Sequence, residues 1–177
     1  MKLVTGLHIP QAGVVTVAGE EVTEPVSIVG MAFQNPTMLP WRTTLDNVLL
    51  PLEIVEKHRR RLRAHKAEYV AQAEKLLETV GLKGFGEKFP WQLSGGMQQR
   101  ASIARALAFD ADLLLMDEPF GALDEIVRDH LNSELLKLWA RTEKTIAFVT
   151  HSIPEAVYLS TKIVVMSPRP GRVTDVI

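Results

Sequence analysis

The sequence predicts an α/β fold built on a parallel sheet, and three observations carry that prediction. The carboxyl-terminal half alternates short apolar runs with segments of helical period. One of those runs, Leu113-Leu114-Leu115-Met116, is apolar without alternation. A strand of that kind must be buried on both faces, the situation of a parallel sheet covered by helices. Third, residues 36–91 carry helical periodicity between two strand-bearing regions, so the chain divides into an α/β core (1–35 and 92–177) and a helical subdomain (36–91).

Each element has its own justification. Residues 14–17 and 27–33 are β-branched or apolar runs bounded by Gly13, Gly19 and Pro36, and read as strands. From Thr43 the period changes. Val48, Leu49, Leu52 and Val55, then Val70, Ala73, Leu77 and Val80, recur at helical spacing, and Gly81 supplies a stop for the second set. Between them Lys57, Arg59, Arg60, Arg61, Arg63 and Lys66 form the one strong charge cluster. It reads either as a solvated helix face or loop, or as a contact for anionic lipid headgroups or an acidic partner loop; no aromatics interleave for base stacking. A helix over 96–109, a strand over 113–116, a helix over 123–139, a strand over 145–150, a short helix from Pro154 and a strand over 162–166 complete the order. Ser152 and Glu155 have capping-box spacing around Pro154 and read as structural. Pro40 and Trp41 read as a turn and a core aromatic, or as family texture.

Composition bounds the function. The chain has 177 residues, 46% hydrophobic and 23% charged, which suits one globular domain and excludes a disordered tail or a collagen-like repeat. Twenty Lys and Arg stand against 21 Asp and Glu, so there is no global basic field and no nucleic-acid partner is expected. The absence of cysteine excludes disulfides, thiolate metal sites and a cysteine nucleophile. No apolar run approaches the length of about 18 residues a membrane span needs, and residues 1–6 lack the features of a secretory signal. The cytosol is the expected compartment.

Two stretches carry chemistry. In Leu93-Ser94-Gly95-Gly96-Met97-Gln98-Gln99-Arg100, Ser94 is a good N-cap, and the glycines let backbone N–H groups approach a ligand closely. Free N–H donors and the helix dipole make such a terminus suitable for an anion such as phosphate, though an ordinary capped loop reads the same way. Downstream, the apolar strand delivers Asp117-Glu118-Pro119 at its carboxyl end, where ligands bind in open α/β sheets. Two adjacent carboxylates in a half-buried crevice call for a cation, with Asp117 holding Mg²⁺ and Glu118 polarising an attacking water, unless they are an acidic helix cap.

In order, LSGGMQQR, LLLMDEP, Phe120-Gly121-Ala122-Leu123-Asp124 and a strand ending in Thr150-His151 resemble the ATP-binding subunit of ABC transporters. There they are the signature motif, Walker B, the D-loop and the switch histidine, and Gln34 matches the Q-loop glutamine. The resemblance implies a P-loop NTPase-like fold and the cofactors ATP and Mg²⁺. It makes Glu118 the general base, His151 the contact to the γ-phosphate, and Gln34 a sensor of Mg²⁺ and water. Nucleotide contacts fall to Ser94, Gly95, Gly96, Gln98 and Asp124, and metal contacts to Asp117 and Gln34. Partners implied are transmembrane permease subunits, a second ATPase subunit and, indirectly, a substrate-binding protein, at the inner face of the cell membrane. Residues 33–43, Ala156-Val157-Tyr158 and 166–172 look like the nitrate/sulfonate/taurine-type import ATPases.

The pattern G-x-x-x-x-G-K-[ST], which cradles the β/γ-phosphates, does not occur; the one Lys followed by Ser or Thr is Lys144-Thr145, preceded by Glu143. Residues 1–13 resemble the family segment just after that motif. The expectation is therefore a chain truncated at both ends, inactive alone, with a gap beside the strand that ends at His151. The alternatives to an importer ATPase are a fragment that only donates its signature motif to a partner subunit, or a decayed gene product.

Overall fold

A computed structural model describes residues 1–108, 111–142 and 144–177, without the side chains of Lys57 and Arg141. The first strands, β1 (Thr16–Val17) and β2 (Glu20–Glu21), form an antiparallel hairpin. Ala18 and Gly19 between them both have positive φ, 52° and 84°, the pair of left-handed residues that a two-residue hairpin turn requires.

The sheet that positions the site has three parallel strands, β3 (Val29–Ala32), β4 (Leu113–Asp117) and β5 (Thr145–Val149), with β4 in the middle. Leu114, Leu115 and Met116 are buried at 2% exposure or less, so the unalternating run is covered on both faces as expected. Register sets Ala32 opposite Met116 and Asp117 opposite Val149. The three strands therefore end level, and the loops after them emerge at one edge.

Helices α1 (Thr44–Ile54), α2 (Glu56–Ala64) and α3 (Lys66–Thr79) occupy the segment of helical period. Thr43 caps α1 by accepting from the Asp46 N–H. Buried Asn47 then uses its whole amide on the incoming loop, accepting from Leu39 N and donating to the carbonyls of Leu39, Arg42 and Thr43. The stop at Gly81 is a Schellman end: Gly81 has φ 70°, its N–H donates to Glu78 O, and Leu82 N donates to Leu77 O. The charge cluster lies largely on α2, where Arg59 and Arg60 approach Glu56 at 4.0 and 3.4 Å while Leu62 is buried.

Helix α4 (Gly95–Ala108) packs against α1 and α3 on one side and against β3 of the sheet on the other. Ala101, Ala104 and Ala106 are 3% exposed or less, and the small side chains let the helix close on its neighbours. At Gly30 of β3 an added Cβ would stand 2.8 Å from Leu114 Cδ2 and 3.0 Å from Ala106 O, so glycine is what allows this approach. The expected helix end at Phe109 lies outside the described residues. Helices α5 (Glu125–Thr142) and α6 (Ile153–Leu159) follow, then β6 (Val164–Met166) and β7 (Val173–Val176).

Two sequence expectations need correction. The run at 162–166 does not continue the parallel alternation: β6 pairs with β7 in a separate antiparallel hairpin, closed by the turn in which Ser167 N donates to Arg172 O. A strand that follows within a few residues is entropically the nearest partner, and β7 is only four residues long. Trp41 is not a core aromatic; it is 71% exposed in the turn ahead of α1, because the Asn47 bonds hold that turn outside the packed helices.

Candidate active site

Level strand ends bring three side chains together. Glu118 follows β4 with φ 44°, a region non-glycine residues seldom enter and which costs on the order of 1–3 kcal/mol. The turn is held on both sides: Glu118 N donates to Val149 O at 2.9 Å, and Gly121 N donates to Glu118 O at 3.1 Å. Behind it Phe120, 1% exposed, packs against Phe148 with ring centroids 5.5 Å apart. The buried ring anchors the backbone that presents the carboxylate. Glu118 Oε2 accepts from Gln34 Nε2 at 3.2 Å and lies 3.4 Å from His151 Nδ1. One oxygen thus meets groups from the loops after β3 and β5, and the His151 ring is 76% exposed, open to a ligand from solvent.

Asp117 ends β4 immediately before Glu118 and is partly buried. With Gln34 it offers a carboxylate and an amide oxygen, both hard donors. Among the described residues no group of three or more His, Cys, Asp or Glu could hold a metal by itself. A sparse oxygen set of this kind fits Mg²⁺, which keeps several waters and takes one or two protein groups beside substrate phosphates.

The remaining expected residues stand apart from that cluster. Ser94 Oγ accepts from Met97 N at 3.3 Å and so caps α4. The N–H groups of Gly95 and Gly96 belong to the first turn, which has no intrahelical acceptors. An added Cβ at Gly95 would meet nothing within 4 Å, whereas at Gly96 it would stand 3.4 Å from Leu123 Cδ2, which places this terminus beside the Asp124 loop. Gln98 spends its amide N–H groups on Pro90 O and Leu93 O, shaping the loop before the helix. Asp124 is exposed and caps α5 through the Val127 N–H at 3.0 Å.

Sequence reasoning missed the groups that hold the Gln34 loop. Gln99, 1% exposed, donates to Phe33 O, and Arg105 donates to Pro36 O, Thr37 O and Thr37 Oγ1. Burial pushes the Arg105 guanidinium below its ordinary pKa, and the converging carbonyls compensate the charge. The available signal was an arginine inside the apolar run Ile103-Ala104-Arg105-Ala106-Leu107. A cleft of about 720 Å³ between α3, α4 and α5 is lined by none of Gln34, Glu118 or His151.

Over residues 1–121 the sequence matches the family described as ABC transporter. The chain belongs to the ABC transporter family. This ABC transporter chain is 46% identical over 177 residues to an uncharacterized ABC transporter ATP-binding protein of Methanocaldococcus jannaschii, covering all of this chain and 64% of that protein. It is 48% identical over 161 residues to the taurine import ATP-binding protein TauB of Rhizobium johnstonii, covering 91% of this chain and 59% of that one. The chain thus spans less than two thirds of the length of these relatives. A solved dimeric ATP-binding cassette, in a post-hydrolysis state bound to ADP and Pi, superposes with TM-score 0.76 at 30% identity, over 92% of this chain and 72% of the other. The α/β, P-loop NTPase-like fold is therefore that of ABC ATPase cassettes. Among the described residues no helix is long and apolar enough to cross a membrane.

Proposed function

We propose that this chain works in the ATP-hydrolysing subunit of an ABC importer for a small solute of the taurine, sulfonate or nitrate kind. The observation that carries the proposal is the single oxygen, Glu118 Oε2, set between Gln34 Nε2 and His151 Nδ1 at level strand ends. Glu118 accepts the proton of an attacking water as general base. Gln34 reaches the same oxygen from the loop that leads into the helical subdomain, residues 36–91, and so reports the state of the site to it. His151 donates toward the γ-phosphate. Asp117 and the Gln34 amide oxygen would hold Mg²⁺, which when bound neutralises charge on the β- and γ-phosphates.

Ser94, Gly95 and Gly96 present the α4 terminus to a nucleotide held on a second ATPase subunit, with Asp124 beside that interface. The open space at Gly95 supports this assignment, because nothing in the chain itself fills it. The whole assembly adds transmembrane permease subunits, at the inner face of the membrane, and a substrate-binding protein that acts through them. Taurine import is what the name of the Rhizobium johnstonii relative states, and residues 33–43 and 166–172 support the same subgroup.

The test is hydrolysis of Mg²⁺-ATP by the full-length protein. Glu118→Gln should lower kcat by about 10²–10⁴ while nucleotide binding persists. Undiminished hydrolysis in that variant would overturn the assignment of the base. Uptake of labelled taurine and nitrate by the complex reconstituted in vesicles then decides the solute.

A further inference from the structure

Glu155 has the spacing of half a capping box, but its carboxylate does something else. Ser152 Oγ does accept from Glu155 N, at 3.4 Å. The reciprocal bond is not made with Glu155, because Ser152 N donates to Thr150 Oγ1 at 2.9 Å. The Glu155 side chain is only 7% exposed, where a capping carboxylate would face water. Oε2 accepts from Thr150 Oγ1 at 2.6 Å, and Oε1 faces Arg128 Nε at 3.4 Å.

Arg128 lies one turn into α5, and its Nη2 donates to Leu123 O at 3.0 Å, the residue before Asp124. A chain of contacts therefore runs from the backbone ahead of Asp124, through the Arg128 guanidinium and the buried Glu155 carboxylate, to the residues on both sides of His151. The Arg128–Glu155 approach is an ion pair without hydrogen-bond alignment, and Arg128 Nε is buried with no hydrogen-bond partner. Asn132, one turn further along the same face, is also buried with Oδ1 unpartnered. The seam between α5 and α6 is thus polar and incompletely satisfied, unlike a seam built for stability alone.

We propose that Arg128 and Glu155 are positioning residues that couple the Asp124 loop to the His151 loop and set the His151 imidazole against Glu118. This rests on the functional reading above, in which Asp124 lies at a subunit interface and His151 meets the γ-phosphate. Movement of the interface loop is passed by Arg128 to Glu155, and by Glu155 through Thr150 to the histidine.

The experiment uses the full-length protein. Glu155→Gln, Arg128→Gln and Thr150→Val are compared with wild type in ATP hydrolysis, and by histidine imidazole NMR without nucleotide, the His151 signal being identified by its loss in His151→Ala. Each variant should lower kcat about tenfold or more, with KM for ATP changed by less than about twofold. The Arg128→Gln/Glu155→Gln double variant should be no slower than the slower single, and the His151 resonance should move in all of them. A His151 resonance that stays in place in every folded variant overturns the proposal, as does a double variant whose loss is the product of the singles. Thr150→Val, nearly isosteric, keeps the test valid if a charge variant fails to fold. If wild type hydrolyses no ATP, the functional reading fails separately and the His151 resonance alone decides the coupling.

Discussion

His151 Nδ1 stands 3.4 Å from Glu118 Oε2 because β4 and β5 are parallel and in a register that sets Asp117 opposite Val149. A shift of one residue would turn alternate side chains to the other face and separate the pair. Both side chains contact through that single oxygen, so they are expected to act as a unit. His151→Ala and Glu118→Gln should each lower single-turnover hydrolysis by about two orders of magnitude or more, and the double variant should lose little beyond the worse single. Rapid-quench measurement with the protein in excess over ATP checks this.

At the α4 terminus the prediction concerns assembly. Ser94 is exposed and caps its own helix, so Ser94→Arg loses a cap worth about 1 kcal/mol. The larger effect is on the face that Gly95 leaves open. Hydrolysis by the full-length protein should be abolished by Ser94→Arg, while the melting temperature falls by only a few degrees. Steady-state hydrolysis and calorimetry on the same samples separate the two effects.

Burial sets a contrast between two aromatic residues. Phe120→Ala removes a ring that is 1% exposed and supports the Glu118 turn, and should cost about 3–5 kcal/mol in urea denaturation. Trp41→Ala removes a ring that is 71% exposed and should change stability by less than about 0.5 kcal/mol.

Arg105 ties α4 to the backbone of Pro36 and Thr37, and Thr37 itself has a positive φ of 45°. Arg105→Met keeps the stem and abandons those carbonyls. The loop after Gln34 should then be cut faster in limited proteolysis and exchange its amides faster, with kcat reduced more than nucleotide affinity. Hydrogen exchange read by mass spectrometry over residues 33–39 is the check.

Much of this protein was legible in the linear chain. Leu113 to Met116, a short unalternating apolar run ending at Asp117, reads as a strand covered on both faces, and the structure buries Leu114, Leu115 and Met116. The stop at Gly81 and the cap at Ser94 follow from local stereochemistry, and the ordered motifs named the family. Contacts between distant segments were not legible. The sharing of Glu118 Oε2, the grip of Arg105 on the Gln34 loop and the Arg128–Glu155–Thr150 bridge depend on strand register and helix placement, to which no short window of sequence has access. Glu155 shows the difference most directly. Its spacing fits a local cap, but the packing of α5 against α6 buries its carboxylate, and a buried charge must find its partners wherever the fold supplies them.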